Sequence, residues 1–230
     1  MDFLYILLLI CVMLAFGAQI SVSSTFRKYS ASSSGLGYSG SQVARRILDA
    51  HGLSHVRIEC IGGTLTDHYD PRAEVLRLSK AVYDGSSASS VGVAAHEVGH
   101  AIQHSEGYLP VRIRTALVPA VNIASRFSWI AIMLGLLISY GSQVLGNYVL
   151  LVGVVLFSAT TLFHLVTLPC EVNASGRALR ELEYLGWYSK SELGDAKKVL
   201  RAAGMTYIAS LAVSLLQLLR LVTLLGRRRR

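Results

Sequence analysis

The chain has 230 residues, of which 52% are hydrophobic and 16% charged, with a mean hydropathy of +0.47. That length allows one domain plus membrane segments, and that hydropathy excludes an ordinary soluble domain. The formal charge of +8 is concentrated at the end, where Arg227 to Arg230 supply four of the charges. The remainder is mildly basic and no stretch resembles a nucleic-acid motif, so the basic tail suits contact with anionic lipid headgroups instead. Cys11, Cys60 and Cys170 show no paired spacing, which argues against a disulfide framework and suits a reducing compartment.

Phe3 to Ile20 is apolar apart from Gln19 and long enough to cross a hydrocarbon core of about 30 Å. Asp2 precedes it and Arg27 and Lys28 follow it. That asymmetry predicts an uncleaved anchor with its N-terminus outside and a juxtamembrane segment, 21–29, inside. Residues 30–41 form a Ser/Gly-rich linker. Val43, Ile47 and Leu48 recur at helical spacing, predicting a helix from Ser41 to His51 that stops at Gly52. His55 to Ile61 alternates like a half-buried strand, and Gly62-Gly63 turns the chain. Thr64 to Tyr69 and Glu74 to Ser79 read as two more strands around Asp70-Pro71.

After a Gly/Ser loop rich in N-capping residues, Ser90 to His104 reads as one helix carrying His96-Glu97-Val98-Gly99-His100, an H-E-x-x-H pattern. Positions four apart stack on one helical face, so both imidazoles can address a single ion. Glu97 stands where a base can take a proton from metal-activated water. Val91, Ala94, Ala95, Val98, Ala101 and Ile102 cover the rest of the helix surface, as expected of a helix inside a packed body. The whole catalytic region is expected to open at residue 42 and run to 126. Within it, 109–126, with Pro110 and Pro119, reads as a connector leading to the membrane.

Phe127 to Val144 and Tyr148 to Leu168 read as two spans of a hairpin joined at Leu145 to Asn147, with Asn122 and His164 as its polar residues. Pro169 marks the exit. Residues 169–204 hold two amphipathic helices, Glu171 to Leu185 and Ser191 to Ala203, that complete the catalytic region. The last apolar run, Met205 to Leu225, contains Gln217 and Arg220. Counting spans places the following tail, 226–230, outside, whereas its arginines favour the inside. The run therefore either spans against that rule, or lies in the interface or re-enters.

Two histidines leave a catalytic zinc one protein ligand short. His68, His104 and Glu171 are the candidates, with His51 and His55 less suited. His104 extends the row of His96 and His100, and three ligands along a straight helix cannot close around one ion. Glu171 begins a helix as the chain returns from the hairpin on the side where it left, which favours Glu171. Oxyanion donors are sought among His68, Tyr69 and Arg177, the last of which has Glu181 as an alternative i+4 ion-pair partner. Of the other histidines, His164 is expected to bond a neighbouring helix.

Taken together, HEVGH, the apolar hairpin and EVNAS-x-RAL from Glu171 resemble the YugP-type neutral zinc metallopeptidases of bacterial membranes. Asp67 to Pro71 (DHYDP), Leu76 to Ser79 (LRLS) and the run from Val93 to His104 are similar to that family as well. More distantly, the arrangement is similar to the HtpX membrane proteases, whose third ligand opens a Glu-x-x-Ala-Asp motif; here Ser175 stands in place of that Asp. The resemblance implies Zn2+ on His96, His100 and Glu171 with Glu97 as base. It implies an α+β, mainly helical membrane protein with a gluzincin-like catalytic domain, a small sheet and three to four transmembrane helices. The expected activity is that of a multi-pass cell-membrane endopeptidase facing the cytoplasm and acting on peptides or membrane proteins. The competing expectation is a membrane scaffold with a structural zinc closed by His68.

Overall fold

The computed structural model describes residues 3–31 and 37–228. Its elements in chain order are α1 (Phe3–Ser30), α2 (Gly40–Ala50), β1 (Arg57–Ile61), β2 (His68–Asp70), β3 (Val75–Ser79), α3 (Lys80–Tyr83), α4 (Ala88–Ser105), α5 (Leu109–Ile138), α6 (Gln143–Leu185) and α7 (Lys190–Arg228). The protein is mainly helical, with one three-stranded sheet. Helices α1, α5, α6 and α7 are each long and apolar enough to cross a membrane.

Several expected boundaries dissolve into longer helices. The 21–29 segment continues α1 to Ser30, and of the linker expected at 30–41, residues 32–36 lie outside the described residues and Gly40 and Ser41 already belong to α2. Connector and span merge in α5, where Pro119 sits inside the helix. Likewise α6 runs through Pro169 to Leu185, and α7 joins the amphipathic and apolar runs around Gly204. A proline removes one backbone hydrogen bond, a defect that apolar helices tolerate when neighbours satisfy the freed carbonyl. The hairpin turn falls at 139–142, not at Leu145 to Asn147. Gly146 belongs to α6 and serves close packing on the helix before it. A side chain at Gly153 would likewise meet the Ile132 amide at 2.8 Å. Of the basic tail on which the lipid contact was expected, Arg227 and Arg228 end α7 and residues 229–230 lie outside the described residues.

The chain divides into two compact units. One takes α1 up to Gly17, Arg112–Leu168 and α7 from Tyr207. Ile132, Leu150, Val154, Phe157, Leu221 and Leu225 form its core. Here Arg220 lies over the Tyr5 ring at 4.9 Å, a cation–π contact that gives its charge a partner among apolar helices.

The second unit takes Ala18–Val111 and Pro169–Thr206. In it α2 buries Val43, Ala44, Ile47 and Leu48. Ser39 caps α2 in a reciprocal box with Gln42, a signal two residues ahead of the expected start. Sheet order is β1-β3-β2, with β1 parallel and β2 antiparallel to the central β3. β2 is shorter than the strand expected at Thr64 to Tyr69. Leu65 adopts a positive φ of 57° after Gly63, and Thr66 Oγ1 donates to the Gly62 carbonyl, so the chain curls before it can pair. The DHYDP and LRLS stretches form one device. Asp67 accepts from the backbone and hydroxyl of Ser79, while Asp70 accepts from Arg77 and from the amides of Arg72 and Ala73.

Candidate metal centre

Ser87 caps α4, its hydroxyl accepting from the Ser90 amide at 3.2 Å. From that start the helix carries both imidazoles on one face, with ring centroids 4.8 Å apart and planes at 85°. Glu171, two residues after Pro169 in α6, meets them. His96 Nε2 lies 3.2 Å from Glu171 Oε2 and His100 Nε2 lies 3.6 Å from the same oxygen. Among the described residues, these three form the group of side chains placed to share an ion, with ligand atoms within 4.8 Å of one another.

The approach depends on Gly99, between the two histidines. A Cβ there would lie 2.7 Å from the Ala174 carbonyl oxygen, so the bare backbone is what lets α6 come close enough. Gly92, two turns earlier, faces Ala196 of α7 in the same way, with a Cβ-to-Cβ distance of 3.3 Å.

Both Nε2 atoms converge because both Nδ1 atoms are held from behind. His96 Nδ1 lies 3.1 Å from Ser175 Oγ, and His100 Nδ1 lies 3.0 Å from Gln103 Oε1. With Nδ1 protonated and bonded there, each ring presents its Nε2 lone pair forward. Ser175, at the position where the sequence departs from the Glu-x-x-Ala-Asp motif, is thus the partner of His96. Gln103 was not foreseen, although it lies one turn beyond His100 on the same helix. Glu171 is only 2% exposed, a burial a carboxylate sustains when cationic or hydrogen-bonding partners face it.

Two imidazoles and a carboxylate are a donor set that zinc takes, with bonds of about 2.0–2.2 Å. Two ligands of a tetrahedral ion at that length stand about 3.3 Å apart, close to the 3.2 Å between Glu171 Oε2 and His96 Nε2 and a little under the 3.6 Å to His100 Nε2.

Glu97 is half-buried next to this cluster. Burial pushes its carboxyl up; His96 and His100 pull it back only in part, and Glu171 and Asp67 add to the rise. A carboxyl raised above its ordinary value by burial, beside the two imidazoles, is placed as a proton acceptor is in a site of this kind.

The other expected residues lie elsewhere. His68 is exposed at the start of β2, its Nδ1 2.8 Å from the Thr66 carbonyl, and it does not join the cluster. Tyr69 packs its ring 5.7 Å from that of His104. Arg177 pairs with Glu106 and Asn173, whereas Glu181, its expected partner, pairs with His51.

The chain belongs to the family described as "Putative neutral zinc metallopeptidase", whose model matches residues 4–226. That family is one of zinc metallopeptidases, which implies zinc as the metal. A relative in Bacillus subtilis (strain 168), "Putative membrane protease YugP", is 45% identical over 221 residues, covering 95% of each chain. No solved structure matches.

Proposed function

We propose that the protein is a gluzincin-like zinc endopeptidase that hydrolyses peptide bonds at the cytoplasmic face of the cell membrane. His96, His100 and Glu171 are the ligands and Glu97 is the general base. The observation that carries this reading is the convergence of both Nε2 atoms on one oxygen of Glu171, next to a glutamate whose carboxyl burial has raised.

Bound zinc supplies Lewis-acid activation of water and polarisation of a carbonyl. Glu97 takes the proton from the attacking water and returns it to the leaving amine. Ser175 and Gln103 hold the two rings so that their lone pairs stay on the ion. The free edge of β2 is the strand end against which an extended substrate backbone would align.

The basic residues next to the apolar runs, Arg27 and Lys28 in the last turn of α1 and Arg112, Arg114 and Arg126 before the most apolar part of α5, support a cytoplasmic catalytic region. Such a location suits membrane proteins or their cytosolic loops as substrates, in a quality-control role.

The test is casein hydrolysis and zinc content of detergent-purified protein beside its Glu97→Gln variant. The variant is expected to keep its zinc and lose about 10²- to 10⁴-fold in rate, the usual worth of a positioned base. Undiminished hydrolysis by Glu97→Gln would exclude Glu97 as the base.

A further inference from the structure

Behind His100 runs a chain of side chains whose hydrogen bonds can point in one direction only. Arg177 Nη2 donates to Glu106 Oε2 at 2.7 Å, and Arg177 Nε donates to Asn173 Oδ1 at 2.8 Å. Gln103 Nε2 donates to the same Asn173 Oδ1 at 2.9 Å and to the Cys170 carbonyl at 2.8 Å. Gln103 Oε1 faces His100 Nδ1 at 3.0 Å. Gln103 is fully buried.

Each polarity follows from the one before. A guanidinium has five donors and no acceptor and does not lose its proton in proteins. The Asn173 atom facing it is therefore oxygen. The Gln103 atom facing that oxygen and a main-chain carbonyl must be the amide nitrogen. That leaves the Gln103 oxygen toward His100, whose Nδ1 must then carry the hydrogen. The remaining ring nitrogen, Nε2, is left as a lone pair 3.6 Å from Glu171 Oε2.

We propose that Gln103, Asn173 and Arg177 act as a positioning relay that selects the metal-binding tautomer of His100 and ties α4 to the stretch of α6 bearing Glu171. The proposal rests on the zinc site described above. It gives Arg177 a part different from oxyanion stabilisation, because two of its donors face Asn173 and Glu106. It also accounts for why a glutamine fills this buried position. A carboxylate would accept equally well from His100 but would turn an acceptor on two oxygens, whereas an amide satisfies both ends.

The experiment is Zn2+ affinity of the detergent-purified full chain, measured against a competing chromogenic chelator, together with the visible spectrum of the Co2+-substituted protein. Removing a group that orients a metal histidine typically costs about 10- to 100-fold in affinity. Gln103→Leu is expected to fall in that range and Arg177→Met at its lower end. The double variant should be little weaker than Gln103→Leu alone, since residues acting through one network are not additive. Arg177→Lys, which restores a donor to Asn173, should recover most of what Arg177→Met loses and restore the cobalt bands.

Gln103→Glu should weaken zinc binding; tighter binding would show that His100 needs only an acceptor and would overturn the relay. Wild-type affinity and an unchanged cobalt spectrum in Arg177→Met would overturn it too. Melting of each metal-free variant separates loss of fold from loss of orientation. Failure of the site itself is seen differently, as a wild-type chain without zinc or a Glu171→Ala variant that binds Zn2+ undiminished.

Discussion

Gly99 and Ala174 touch without an intervening side chain: a methyl group on Gly99 would lie 2.7 Å from the Ala174 carbonyl oxygen. Ala174 follows Glu171 by three residues and Gly99 precedes His100 by one, so this contact sets how near the carboxylate comes to the imidazoles. Gly99→Ala must push α6 away. Overpacking of this kind costs about 1–3 kcal/mol. The variant is expected to melt lower and to hold zinc more weakly, as metal content after dialysis would report, whereas Gly176→Ala, with room around its Cβ, should do neither.

Ser175 and His96 make the second testable contact, at 3.1 Å. Ser175→Ala leaves His96 Nδ1 without its oxygen and should weaken Zn2+ binding about tenfold. Ser175→Asp supplies a stronger, charged acceptor at the same helical position, and chelator competition should show affinity at or above wild type.

Acid lability follows from the clamp on Asp70. The hydrogen bond from Arg77 comes first, and with the amides of Ala73 and Arg72 it holds the Asp70 carboxyl below the ordinary value. Arg177 does the same for Glu106. A depressed carboxyl contributes stability that is present above its unfolded value, about 3.9 for Asp, and lost as pH falls through its folded value. Melting temperature should therefore fall on acidification below about pH 4. In Asp70→Asn that fall should be shallower, and a profile parallel to wild type would remove Asp70 from the account. The effect is small, since the pair is partly solvated.

The H-E-x-x-H helix was legible because its two periodicities coincide: ligand spacing on one face, and small apolar residues from Val91 to Ile102 on the others. Glu171 was reachable from the order of apolar segments. Helix ends were not, because Pro119, Pro169 and Gly204 carry breaker signals that packed apolar helices override, and Gly146 serves contact where it looked like a turn. β2 fell short of its alternation because Leu65 took a left-handed conformation. Ser175 and Gln103 are small polar side chains whose role depends on which ring nitrogen they meet. That is a tertiary fact, although their positions at i+4 from Glu171 and i+3 from His100 were the available hint.

The account stands on zinc being held by His96, His100 and Glu171, and X-ray absorption at the zinc edge of the purified protein tests this most directly. It predicts two imidazole nitrogens and a carboxylate oxygen at about 2.0–2.2 Å with no sulfur scatterer, and loss of the protein oxygen in Glu171→Ala. A sulfur shell, or a coordination sphere unchanged by Glu171→Ala, would contradict it.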